Sequence, residues 1–302
     1  MLSKYALAAR SRLSLGTALV AAFALSLAVA GAASAASPPV GSFQKRASSP
    51  KPVNNVAVDP TTNMIYAQQY EGKGFYRYNP RTNKWTTLHL APIKQGNNGG
   101  AAYVKGKIYT VYTNNDTQMG VYDIATGTWS TITNPLGAGT GDITSHMGLL
   151  YLVEGTDFVS YDPATDTTQT LASPPFSFTD YGGLAPYKGK IYGQEGNGDT
   201  GFAQYDIASD TWNTDENLPS GGVLGAAIDP VTGIFYAYGN YEDDLFYRYS
   251  TAQHHWLFTL QFPFHNLNDG GMAYVSAKGL QGIYATYGQG NNGFTRYVTP
   301  PR

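Results

Sequence analysis

Asp180, Tyr181 and Glu195 are the side chains of this sequence best suited to acid–base chemistry. A carboxylate in a desolvated opening has a raised pKa and can serve as a base. A polysaccharide lyase needs such a base and a group that neutralises a uronate, and these three residues are the candidates for both tasks; a sugar epimerase would draw on the same set. Asn54, Asn97, Asn98, Gln194, Asn268 and Asp269 would line the same opening. Amides and carboxylates match the hydroxyl groups of a sugar, and a tyrosine ring covers the apolar face of a pyranose. The pattern therefore points to a binding module for a glycan or a protein ligand. A carbohydrate-active enzyme is the alternative, and a structural interaction scaffold is a third reading. For any one of these residues the simplest role is local, because Asn and Asp in tight loops bond to their own backbone.

Other chemistries find little support. The chain of 302 residues has no Cys, which excludes disulfides, thiolate metal sites and cysteine nucleophiles. His89, His146, His254, His255 and His265 do not fall together in the repeat described below, so no metal site is expected. No phosphate loop, dinucleotide fingerprint or Gly-x-Ser-x-Gly elbow is present, and no cofactor is implied. A net charge of −2 and a pI near 6.2 give no electrostatic footprint for nucleic acid. Charged residues are only 13% of the chain, about half the usual ~25%. Long polar helices are therefore not expected, whereas 35 Gly and 24 Tyr suit strands and turns.

The elements that would position the candidates come from an internal repeat. Tyr78, Tyr122, Tyr161, Tyr205, Tyr249 and Tyr297 recur at steps of 44, 39, 44, 44 and 48 residues. Four of them are followed seven residues later by Trp85, Trp129, Trp212 and Trp256, across turns rich in Asp, Asn, Pro, Thr and Gly. A second series, Tyr66, Tyr109, Tyr151, Tyr192, Tyr236 and Tyr284, follows short hairpin turns such as Lys105-Gly106-Lys107. Each repeat reads as four strands, a to d, with one Tyr on b, one on c and the Trp on d. A period of about 44 residues with four strands is that of a propeller blade.

The expected fold is all-β: a six-bladed β-propeller of four-stranded blades. The blades span about 53–92, 97–135, 139–174, 180–219, 224–263, and 268–299 plus 41–50. The last repeat lacks a d strand after Tyr297, and the segment around Phe43 lies at the right distance before Pro50 to supply it. An N-terminal strand in the last blade would close the ring and hide its edges. Counting back eleven or twelve residues from each strand-b Tyr places Asn54-Asn55, Asn97-Asn98, Gly139-Thr140, Asp180-Tyr181 and Leu224-Gly225 at one mouth of the axial channel, with Asn268-Asp269 in the last blade. The loops from b to c, which carry Gln194 and Glu195, emerge on that face.

Residues 1–35 read as a cleaved signal peptide. Lys4, Arg10 and Arg12 precede an apolar stretch from Leu13 to Ala30, and Ala33-Ser34-Ala35 supplies the cleavage pattern. The protein is thus expected to be exported, periplasmic or extracellular, as a monomer of residues 36–302 with no membrane span. The mature chain would carry 16 basic and 21 acidic residues, a poor match for anionic lipid or nucleic acid.

The strings Tyr122-Asp-Ile-Ala-Thr-Gly-Thr-Trp129 and Lys188-Gly-Lys-Ile-Tyr192, with their counterparts in other repeats, resemble the kelch type of six-bladed propeller in the galactose-oxidase-like superfamily. The resemblance covers nearly all of the mature chain. It departs from the family in its glycine doublets, which stand at Gly99-Gly100, Gly182-Gly183 and Gly270-Gly271, at the start of strand a instead of the end of strand b. The resemblance carries no chemistry with it: galactose oxidase itself needs a Cys–Tyr crosslink beside copper, and the absence of Cys excludes that activity. The exported sialic-acid epimerase of similar architecture has no catalytic motif that can be matched here residue by residue.

Overall fold

The computed structural model describes residues 41–96, 99–112, 117–138, 141–178, 182–239, 244–257, 259–263 and 270–299. The expected signal peptide, and the candidates Asn97, Asn98, Asp180, Tyr181, Asn268 and Asp269, lie outside the described residues. All regular structure among the described residues is β, and no described helix is long and apolar enough to cross a membrane.

The strands form six antiparallel sheets, each of four strands in chain order from the axis outwards. Blade one runs Val53–Val58, Ile65–Gln69, Phe75–Asn79 and Lys84–Thr87. Blade two runs Ala101–Val104, Lys107–Thr110, Gln118–Asp123 and Thr128–Thr133. Blade three runs Asp142–His146, Leu149–Glu154, Asp157–Asp162 and Thr167–Thr170. Blade four runs Gly183–Tyr187, Lys190–Gly196, Asp199–Asp206 and Thr211–Thr214. Blade five runs Val223–Asp229, Ile234–Tyr238 and Leu245–Ser250, and its d strand is split into His255–Trp256 and Leu260–Gln261, both paired with strand c. Blade six takes Met272–Val275, Gly282–Thr286 and Phe294–Val298, and completes itself with Ser42–Lys45 from the other end of the chain. The ring closes as the position of Phe43 implied.

The a strands pack against one another in a closed cycle of six. Six hydrophobic clusters fill the six seams, each drawing residues from two adjacent blades. The two tyrosine series interlock there. Tyr66, Tyr192, Tyr236 and Tyr284 of strand b meet Tyr122, Tyr249, Tyr297 and Tyr78 of strand c in the next blade, with ring centroids 5.6–6.3 Å apart. Each such aromatic pair contributes about 0.5–1.5 kcal/mol beyond its buried area.

The indoles add a second stitch. Nε1–H of Trp85, Trp129, Trp212 and Trp256 donates to the carbonyls of Ala47, His89, Ala172 and Glu216, each just past the d strand of the preceding blade, at 2.7–3.1 Å. The same rings lie against Phe294, Phe75, Phe158 and Phe202 on strand c of that preceding blade. The turn between c and d is equally repetitive. Asn83, Gly127, Asp166, Asp210 and His254 all take positive φ five residues after the strand-c Tyr. The hydroxyls of Tyr78, Tyr161 and Tyr205 donate to the Asn83, Asp166 and Asp210 side chains at 2.7–2.8 Å.

Candidate functional site

The a strands surround the axis, and their pairing with strand b sets the levels of the channel. Ala57, Ala102, Thr144, Ala185, Ala227 and Ala273 are the residues that pair with the strand-b tyrosines. They form a belt of small side chains. Two residues earlier in each strand the level reads Asn55, Gly100, Asp142, Gly183, Gly225 and Gly271. One residue after the belt it reads Val58, Tyr103, Ser145, Pro186, Ile228 and Tyr274. All of these except Gly183 line one cavity of about 370 Å³ on the axis. Exposure rises along it: Asn55 and Gly271 are buried, Tyr103 and Tyr274 half-buried, and Pro60, Pro230 and Ser276 at the rim exposed. The cavity therefore opens on the face of the a–b turns, opposite to the face that the sequence favoured.

The Asn55 level lies at different distances from the strand-b Tyr in different blades, for a local reason. Blades one and five carry long a–b turns, Asp59–Asn63 and Asp229–Gly233, each tied by a backbone hydrogen bond from the fifth residue to the first. Blades two, three and four turn in two residues, Lys105-Gly106, Met147-Gly148 and Lys188-Gly189. A fixed count back from strand b lands two residues too early in these three blades. It reaches Gly139-Thr140 in blade three and so misses Asp142.

Among the described residues Asp142 is the one carboxylate lining the cavity, and no Lys, Arg or His among them lines it. Its Oδ2 accepts the Leu184 N–H of blade four at 2.7 Å. Its Oδ1 occupies the place that a side chain on Gly100 of blade two would need. The group thus reaches both neighbouring blades. The residue as a whole is half-buried, yet the surrounding protein desolvates its carboxyl strongly. Desolvation pushes its pKa up to about 7, against the pull of the Ile143 and Leu184 N–H groups. Asn55, on the same level, is almost fully buried. Its Nδ2 reaches the Val111 carbonyl at 3.4 Å, while its Oδ1 has no hydrogen-bond partner. One acceptor on this level, the Asn55 Oδ1, is therefore left without a donor beside the Asp142 carboxylate.

Three of the residues named from the sequence are described. Asn54 lines the cavity but is fully buried, and its Oδ1 accepts the N–H of Asn55 at 2.9 Å, the local role expected of a turn amide. Gln194 is fully buried and lies against the backbone of Gly183 and Gly222. Glu195 sits half-buried at the end of a hairpin strand, and its Oε2 accepts the Gly201 N–H at 3.1 Å. Desolvation, with help from Asp199, raises its pKa. None of the three is exposed at a rim, and neither Gln194 nor Glu195 lines the axial cavity.

Three of the four described histidines are engaged elsewhere, and His265 lies outside the described residues. His89 meets the Gly127 carbonyl, and His254 and His255 face Asp215 and Glu216 at 3.0 and 2.7 Å across the outer edges of blades four and five. Among the described residues no group of three or more metal-binding side chains converges.

No family model matches the chain, and no curated protein matches it. Many solved structures do. One, titled "Structure of YjhT", superposes with a TM-score of 0.66 over 84% of this chain and 96% of that one, at 13% identity. At that identity the likeness is one of fold.

Proposed function

We propose that this chain is an exported, kelch-like propeller that binds a saccharide in its axial cavity. The observation that carries the reading is the cavity itself. It has the Asp142 carboxylate and the unpartnered Asn55 Oδ1 at its inner end, a belt of five alanines and Thr144, and two tyrosine rings near its open end. A volume of about 370 Å³ lies within the range of small-molecule pockets. Hydroxyl groups would donate to the inner oxygens, and the Tyr103 and Tyr274 rings would flank the apolar face of a pyranose. Isothermal titration of the mature chain with mono- and disaccharides tests this. Binding is expected to weaken by about tenfold in Tyr103→Ala; no saccharide binding, or binding indifferent to that substitution, would refute the reading.

Export rests on the basic start, the apolar stretch and Ala33-Ser34-Ala35. Intact-mass measurement of the protein recovered from a secreting host should show a chain that begins at Ala36.

A further inference from the structure

We propose that the axial cavity selects a saccharide that carries a free primary amine, with the ammonium group held at Asp142 and Asn55. This rests on the saccharide reading above and names the class within it. The observation is one of charge. Among the described residues Asp142 is the only carboxylate on the cavity, and no Lys, Arg or His among them lines it. Tyr103 and Tyr274, the other ionisable side chains among the described lining residues, stand at the opposite end. The contacts of Asp142 among the described residues include the backbone of Gly100, Ile143 and the Leu184 N–H. A neutral sugar would leave this carboxylate without a counter-charge. A uronate would set a second carboxylate beside Asp142, with no Lys, Arg or His among the described lining residues to neutralise either.

An ammonium group has three donors and no acceptor, and the inner end offers the complementary set. The Asp142 carboxylate supplies charge, and the Asn55 Oδ1 supplies a buried acceptor without a partner. Four of the six residues on this level are glycines, Gly100, Gly183, Gly225 and Gly271, so no side chain from those blades competes for the space. Because desolvation leaves Asp142 half-protonated near pH 7, arrival of a cation should expel a proton from it.

The experiment uses three sugars that differ only at C6: 6-amino-6-deoxyglucose, glucose and glucuronate. Each is titrated calorimetrically into the mature chain at pH 7, in two buffers of different ionisation enthalpy. The amino sugar is expected to bind about tenfold more tightly than glucose, glucuronate to bind more weakly than either, and the amino sugar alone to release a proton. Asp142→Asn should bring the three within about twofold of one another, and Asp142→Ala serves if the amide variant does not fold. Equal affinity of the native protein for the amino sugar and glucose, or a preference for the amine that survives Asp142→Asn, would overturn the inference and leave the saccharide reading standing. Binding of cyclohexylmethylamine with none of the sugars bound would overturn the saccharide reading and keep the cation site. Saturation by Ca²⁺ alone, lost in Asp142→Asn, with the amine inert would make this a divalent-cation site and overturn the inference.

Discussion

Phe43 stands directly opposite Tyr297 in the last blade, the place that Trp85, Trp129, Trp212 and Trp256 hold opposite their own strand-c tyrosines. The two residues are 254 positions apart in the chain, with ring centroids 5.1 Å apart. Phe43 also meets Phe246 and Phe262 of blade five edge-on, at 5.2 and 5.0 Å. One half-buried ring thus joins the two ends of the chain and seals the seam between blades five and six. Phe43→Ala is expected to lower the free energy of unfolding by about 2–3 kcal/mol, toward the low end of the range for aromatic truncations because Phe43 keeps some exposure. Urea denaturation of the mature chain measures it. A change below about 0.5 kcal/mol would mean that the seam does not depend on this closure.

The indole stitches allow a finer test. Trp212 donates to the Ala172 carbonyl at 2.9 Å and lies against Phe158. Trp212→Phe keeps most of the ring contact and loses the hydrogen bond, so a cost of about 1 kcal/mol is expected. Trp212→Ala loses both, at about 3 kcal/mol. In blade three the corresponding place opposite Tyr161 is taken by Thr168, which is exposed. The preceding blade matches this loss, with Met119 standing where Phe75 or Phe158 stands in others. Thr168→Ala should accordingly cost less than about 0.5 kcal/mol. Chemical denaturation of the three variants side by side would show whether the seams follow this order.

The fold was legible because its determinants repeat. Tyr78 and Trp85 recur at a constant separation of seven, since the c–d turn between them has one length and one positive-φ residue in each blade that keeps the Trp. The place of Phe43 could be read from its distance to Pro50 for the same reason. The site was less legible, because it depends on where strand a lies relative to strand b. The a–b turn varies from two residues to six, so Asp142 stands nine residues before its strand-b Tyr while Asn55 stands eleven before its own. Nor does composition show which amides turn inwards. Asn54, Gln68, Gln95 and Gln194 are all fully buried, although Asn and Gln most often face solvent.

Glu195, the sequence-derived candidate base that the structure describes, separates catalysis from architecture. Its carboxylate accepts the Gly201 N–H within its own blade, and burial raises its pKa. A carboxyl whose folded pKa exceeds the unfolded value destabilises the native state once pH rises above the unfolded value. Glu195→Gln keeps an acceptor for Gly201 and removes the buried charge. Stability at pH 7 should be unchanged or higher, and saccharide affinity should stay within about twofold of the native value. A tenfold loss of affinity, with folding intact, would return Glu195 to the site.

Asp142 predicts a pH dependence of stability with a definite sign. Its folded pKa of about 7 lies above the ordinary carboxylate value of 3.8. Between those two pH values the folded state holds the proton and the unfolded state does not, so stability falls as pH rises through that window. Above about 7 both states are ionised at this group and its contribution levels off. Asp142→Asn keeps an oxygen for the Leu184 N–H and abolishes the titration. The variant and the native protein should therefore be equally stable near pH 4. From there to pH 7 the variant should gain steadily, and it should be more stable by at least about 1 kcal/mol at pH 8, solvent in the channel screening part of the effect. Urea midpoints taken at pH 4, 6 and 8 decide it. A difference that does not grow with pH would show that the channel carboxyl is not desolvated, and that its charge is free at neutral pH without a ligand.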